Sequence, residues 1–326
     1  VSDEETRREI DRDFGLGARV AQQSRRRLLN RDGSFNVRRH GLSFIRSLSL
    51  YHWLLTVSWT RFFLAVGGFY LTYNTLFALG YYLCGPGALQ GSTGSAGGRL
   101  ADCFFFSVHT AATIGYGSIS PHGLAANLLV TVEAFFGLLS LALATGVLFS
   151  RFARPHARIL YSETAVVAPY RDISGLMLRV VNQRHNELVE VRATVSLSWR
   201  ENTPRGVSRR FMVLELERKD VVFFPLHWVV VHPIDEKSPL WGVTAAQFAE
   251  SDAEILVLLE GVDDTFEQTV HSRCSYKFDE VTWGARFTDI YLKRPDGELR
   301  GIDVRRLHDT EPAPLPPPGT RMPAVG

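Results

Sequence analysis

Cysteine is scarce here, with three in 326 residues. That is too few for the disulfide framework of a small secreted fold. An excess of charge of one sign is missing too: the formal net charge is +2, which makes no global electrostatic case for nucleic acid. Neither a collagen-like repeat nor the apolar-poor bias of a disordered chain is present. With 45% hydrophobic residues and a mean hydropathy of −0.01, the averages are those of an ordinary soluble protein of two domains. No apolar run with a small-residue cleavage site opens the chain, so a secretory signal peptide is not expected. No His/Cys/Asp/Glu spacing suggests a metal centre and no nucleophile–base pattern suggests catalysis. Neither an enzyme nor a resident cofactor is therefore expected.

Averages conceal segregation, and this chain is segregated. Residues 1–43 are polar and Arg-rich, and read as a cytoplasmic N-terminal segment. Phe62 to Leu83 holds 22 residues without a charge, and Leu124 to Ser150 holds 27 with Glu133 alone. Each suffices to span a bilayer core as a helix, and the second should tilt or protrude. Arg38, Arg39, Arg46 and Arg61 flank the first span, and Arg151, Arg154 and Arg158 follow the second. The loop between them has Arg99 as its one base, so the positive-inside rule puts both termini in the cytoplasm. The stretch from Leu48 to Leu55 mixes apolar and polar residues, as a helix lying in the membrane interface would. Residues 44–154 thus form a pore-sized membrane domain. Beyond Pro155, short β-rich runs punctuated by turns predict an antiparallel sandwich or barrel over residues 155–309. The Pro-rich tail, 310–326, is expected to be extended or disordered.

The loop between the spans carries the chemistry. Asp102 to Ala112 is too short to cross a membrane, and reads as a half-helix that enters and stops. Thr113-Ile114-Gly115-Tyr116-Gly117 follows it. Irregular backbone at membrane depth is tolerable only where protein buries it or water lines it. Gly115 and Gly117 can take angles closed to other residues, which lets successive carbonyls face one axis. Thr113 can add a hydroxyl ligand, while Ile114 and Tyr116 pack behind. This pentapeptide resembles the TVGYG loop of potassium channels, in which four copies replace the hydration shell of K⁺ with rings of carbonyls. The chain is thus expected to be a homotetramer. K⁺ is its permeant ion, held by oxygens of Thr113, Ile114, Gly115 and Tyr116. The half-helix would aim its negative C-terminal end at the ion.

Further motifs narrow the resemblance. They are Leu29-Asn30-Arg31-Asp32-Gly33-Ser34-Phe35-Asn36-Val37, Leu55-Thr56-Val57-Ser58-Trp59, and Ser150-Arg151-Phe152-Ala153-Arg154-Pro155. In the β-rich half they are His232-Pro233-Ile234-Asp235-Glu236-Lys237-Ser238-Pro239-Leu240 and Asp279-Glu280-Val281-Thr282-Trp283-Gly284. Together they are similar to the prokaryotic (KirBac-type) inward-rectifier potassium channels, over about Leu28 to Pro312. No dinucleotide-binding glycine fingerprint follows the second span. The resemblance implies a two-span pore domain with a re-entrant pore helix and filter. It also implies a cytoplasmic immunoglobulin-like β-sandwich, four copies of which extend the pore, in a bacterial inner membrane.

It implies roles as well. Gly137 and Gly146 are bending points of the inner helix or sites of close packing, and Phe149 is a hydrophobic constriction. Glu133 is a structural hydrogen-bonding group behind the filter or a group on the ion path. Glu190 lines the cytoplasmic vestibule or is a solvated strand charge. Thr265 to Val270 matches the loop that narrows the cytoplasmic pore. Arg151, Arg154 and Arg158 contact anionic lipid or merely set topology. Leu141 stands where strong rectifiers carry an acid, so rectification should be weak. His109 stands where Glu or Gln is usual. His156 and Ala157 replace lysines of lipid-activated animal members, which leaves the sign of the lipid effect open. The competing function is a non-conducting membrane-anchored binding module with a vestigial pore.

Overall fold

In the computed structural model, residues 27–36, 50–92, 96–153, 158–183, 187–203, 206–224, 226–293 and 298–321 are described. They fall into two compact units, one within His40–Arg154 and one drawn from Val1–Arg39 and Pro155–Gly326.

In the first unit both long apolar stretches are helices, because such a run satisfies its backbone only within itself. α1 (Leu50–Thr56) precedes α2 (Trp59–Leu83), and α3 (Ala96–Ala111) and α4 (Gly123–Phe152) follow. At 1.5 Å per residue α2 spans roughly 38 Å and α4 roughly 45 Å. Only 17% of the most apolar window of α2 and 11% of that of α4 is buried within the chain. Leu64, Leu76, Leu128, Phe135 and Leu143 are all exposed. A soluble protein would cover such faces; here lipid or further copies must do so. α3 begins at Ala96, earlier than the Asp102 expected, and takes in Gly97 and Gly98 despite glycine's low helix propensity. A two-residue pairing joins the loops on either side of α3 and the segment after it, as β1 (Leu89–Gln90) lies antiparallel to β2 (Ser120–Pro121). Gly91 permits that closure, since an added Cβ would collide with the Ser118 carbonyl.

The second unit is two packed sheets. One runs β11 (Gln268–Lys277), β10 (Glu254–Asp263), β6 (Leu188–Thr203) and β7 (Gly206–Leu214), with β8 (Asp220–Phe223) also on β6. The other runs β12 (Val281–Trp283), β4 (Ala165–Tyr170), β5 (Ile173–Asn182) and β3 (Ile159–Tyr161), with β9 (His227–Ile234) on β5. Alternate residues of β6 and β10, among them Val195, Leu197, Ile255 and Val257, are at most 1% exposed. They meet Leu178 and Val180 of β5 in one core. Each such side chain contributes about 1.5–3 kcal/mol by burial. The sandwich is not wholly antiparallel as expected: β12 pairs with β4 in parallel, because the chain returns to that edge after the β10–β11 hairpin instead of turning directly. A short helix, α5 (Ala245–Glu250), carries a capping box between Thr244 and Gln247.

Two flanking segments lie on this sandwich. Arg27 donates to both carboxylate oxygens of Glu280, at 3.0 and 2.7 Å, and the Leu28 and Leu29 amides donate to the fully buried Glu254. At the other end the first residues of the tail are extended. Thr310–Pro312, here β16, pairs with β13 (Ala285–Phe287), so the boundary drawn at 310 is not a break. A further hairpin joins β14 (Tyr291–Lys293) and β15 (Leu299–Ile302). Cys84, Cys103 and Cys274 are unbridged.

Candidate ion pathway

The pore-helix end is closed by its own backbone. The Thr113 amide donates to the Thr110 carbonyl at 3.1 Å and the Ile114 amide to the His109 carbonyl at 2.8 Å. This is a Schellman closure, with Thr113 in the left-handed position at φ +55° that glycine usually fills. For a β-branched residue that conformation costs about 1–2 kcal/mol. Such strain at a polar residue points to function. Gly115 and Gly117 follow at φ +62° and +78°. Ile114 and Tyr116 are absent from the positive-φ set, so the hand of the backbone alternates along Thr113–Gly117. Alternating hand reverses every second peptide plane, the backbone condition for successive carbonyls to share one side. All five residues are exposed in the single chain.

Behind this segment a polar knot joins three helices. Glu133 of α4, Asn74 of α2 and Ser107 of α3 are fully buried, and Tyr81 of α2 is 1% exposed. The Tyr81 and Ser107 hydroxyls donate to the two carboxylate oxygens of Glu133. The Tyr73 hydroxyl donates to the Glu133 carbonyl at 2.6 Å. Ser107 also lies 3.1 Å from the Asn74 amide oxygen. Glu133 is therefore a structural tie between α2, α3 and α4. Asn74, Tyr81 and Ser107 were not singled out from the sequence. Their signal was present, since a polar residue inside an apolar span is expensive and must have a partner. His109 meets Tyr116 edge to face, with ring centroids 5.0 Å apart, which braces Tyr116 from α3.

The inner helix runs unbroken through Gly137 and Gly146. Gly137 is buried, and a Cβ there would lie 3.2 Å from Ala111 Cα, so its smallness lets α4 close on the end of the pore helix. Gly146 has open space around it. Leu141, Gly146 and Phe149 are exposed in the single chain, and Leu141, Thr145 and Phe149 follow one another at four-residue spacing on one face.

At the helix exit the three arginines part company. The Arg151 guanidinium donates to the carbonyls of Leu54 and, at 2.7 Å, Val57. It also lies 4.5 Å from the Trp59 ring and 4.7 Å from the Phe62 ring. It caps the end of α1, whose last carbonyls have no helical partner. Arg154 lies outside the described residues. Arg158 is exposed and lines a cavity of about 490 Å³ with Arg31, His271 and Arg273.

Glu190 is exposed at φ +51°, next to the bulge where β6 slips against β10 between Glu260 and Val262. It borders a cleft with Asp220 and Glu260, in which Arg192 is paired to Asp220 at 2.7 Å. The segment from Thr265 to Val270 forms the turn of the β10–β11 hairpin and the first residues of β11.

Comparison with known proteins decides what this arrangement belongs to. A family model described as the inward rectifier potassium channel C-terminal domain matches residues 159–322, and one described as an ion channel matches residues 68–154. Inward rectifier potassium channel Kirbac3.1 of Paramagnetospirillum magnetotacticum is 42% identical over 285 residues, which is 87% of this chain and 95% of that protein. The chain belongs to the inward rectifier potassium channel family. It is a prokaryotic-type member, a membrane protein whose family function is K⁺ conduction. Animal inward rectifiers are more distant. ATP-sensitive inward rectifier potassium channel 14 of Mus musculus is 30% identical, over 92% of this chain and 74% of its own length. G protein-activated inward rectifier potassium channel 1 of Bos taurus is also 30% identical, over 67% of this chain and 45% of its own length.

Proposed function

We propose that four copies of the chain surround one K⁺-selective pore. Dehydrated K⁺ passes between carbonyls of Thr113, Ile114, Gly115 and Tyr116. The observation that carries this reading is the alternating hand of the backbone from Thr113 to Gly117. A single segment supplies oxygens on one side of an ion, and only a ring of segments replaces a hydration shell. The bare apolar faces of α2 and α4 support the same reading, since both lipid and neighbouring copies are needed to cover them.

The protein brings no cofactor to this task; K⁺ is the ion carried. The Glu133 tie and the His109–Tyr116 contact hold the filter rigid, so selectivity does not depend on loop chance. The inner helices close near Phe149, under influence of the sandwich and of anionic headgroups near Arg158. Both termini lie in the cytoplasm of a bacterial inner membrane. With Leu141 and no carboxylate in the inner cavity, polyamine block is weak.

Uptake of rubidium into liposomes, driven by an outward K⁺ gradient and blocked by barium, tests the reading. Folded tetramers that give no uptake in any lipid would leave the chain a membrane-anchored module without conduction.

A further inference from the structure

A cleft of about 250 Å³ lies between the Pro-rich segment and the sandwich, apart from the ion pathway. Val167 of β4 and Leu240 line one part of it, the indoles of Trp241 and Trp283 another, and Leu315 and Pro317 of the tail the rest. The tail segment is held at both ends. The Ala313 amide donates to the Gly284 carbonyl at 2.7 Å. Arg321 pairs with Glu236 at 3.3 Å and lies 3.9 Å from Asp172. Between them a Cβ added to Gly319 would stand 3.6 Å from Gly242 Cα, so the strap comes down backbone to backbone and closes that end. Prolines resist collapse, which keeps a space open where a flexible segment would fill it.

The lining selects its occupant. No residue of the cleft carries a charge, and an ion entering it would lose water and gain nothing. An apolar cavity of roughly 150 Å³ is enough for benzene, so this one has room for a substituted ring. Three side-chain hydroxyls border it, those of Ser174, Thr244 and Thr320. Thr244 donates to Gln247 Oε1 at 3.1 Å and Thr320 to the Pro317 carbonyl at 2.5 Å. The Ser174 hydroxyl has no hydrogen-bond partner among the described residues. We propose that the cleft binds a small uncharged aromatic molecule with one hydrogen-bonding group. Its ring packs on Trp241 and Trp283, and its polar group meets Ser174.

The test uses the full chain in lipid nanodiscs and 4-fluorophenol as the probe, followed by fluorine NMR. Saturable broadening is expected, with a dissociation constant on the order of millimolar, as befits so small a ligand. Leu315→Trp fills the cleft and should abolish saturation. Ser174→Ala removes the one polar partner and should weaken binding about threefold to tenfold. If Leu315→Trp fails to fold, Ser174→Ala carries the test alone. Broadening that rises without saturation, as partition into lipid gives, overturns the proposal. So does saturable binding that both variants leave unchanged. The readout does not involve conduction, so its failure and the failure of the channel reading are separate.

Discussion

Thr113 shows how a single residue can be held against its own preference. Its left-handed backbone is stabilised by two hydrogen bonds onto the pore helix, and the following glycines continue the alternation with no Cβ to oppose it. Gly117→Ala sets a Cβ against the φ of +78°, at about 1–2 kcal/mol. Relaxation would turn a carbonyl out of line. Rubidium uptake should fall at least tenfold while the tetramer persists on size-exclusion chromatography; unchanged uptake would mean that this backbone does not carry the ion. Glu133 makes a second prediction at this scale. Glu133→Leu strands the buried Tyr81 hydroxyl, while Ser107 keeps the Asn74 amide oxygen, and a buried unpaired group costs about 1–3 kcal/mol. Thermal melting of the purified protein should drop well below the parent, and Glu133→Gln, which keeps an acceptor, should recover part of it. Leu141→Asp should bring block by intracellular polyamines; if block does not change, Leu141 does not face the cavity.

Apolar cores hold the elements together, and small polar devices fasten their ends. Arg151 fastens the end of α1 to α4, and Glu280 fastens the Arg27 segment to the sandwich. Burial opposes ionisation of Glu280, but the Arg27 hydrogen bond, the Lys277 amide and the charges of Arg27 and Arg31 outweigh it. Its carboxyl is thus held below the ordinary 4.5. A carboxyl with a depressed folded pKa adds stability above its unfolded pKa and loses it as pH falls through the folded one. The clamp should therefore be constant between pH 5 and 8 and open progressively in acid below 4.5. Amide exchange at Leu28 and Leu29, corrected for intrinsic rate, reads this directly. Glu280→Gln should speed that exchange at least tenfold at pH 7, and no change would remove Glu280 from the clamp. His232 behaves in the same sense for another reason. Burial lowers its pKa from 6.5, and its two nitrogens already meet the Glu215 carbonyl at 2.5 Å and Ser238 Oγ at 2.7 Å. The folded form binds fewer protons than the unfolded one, so sandwich stability should decline as pH falls below 6.5. His232→Gln should flatten that slope in thermal melts.

For the whole molecule, what could be read from sequence follows what is local and repetitive. The spans are charge-poor apolar runs of bilayer length, and Gly115 and Gly117 stand in a five-residue motif, so neither needed tertiary knowledge. The strand pattern of Val191 to Trp199 alternates visibly. Contacts between distant residues could not be read this way. Arg151 looks like any flanking base until α1 offers it unpaired carbonyls. Ser107 looks like a break in a phenylalanine run until Glu133 arrives from another helix. The parallel β12–β4 pair depends on where the chain returns, which no period encodes. The Pro-rich composition of the tail gives no sign of a partner, yet Pro317 and Leu315 are one wall of a cleft.

Thr113–Gly117, as proposed, forms a K⁺-selective carbonyl filter at the axis of four copies. The most direct measurement is the reversal potential of the reconstituted channel in a planar bilayer, with K⁺ on one side and a mixture of K⁺ and Na⁺ on the other. The account predicts a reversal that follows the K⁺ gradient and ignores Na⁺. A reversal near zero whenever total monovalent cation is balanced would contradict it.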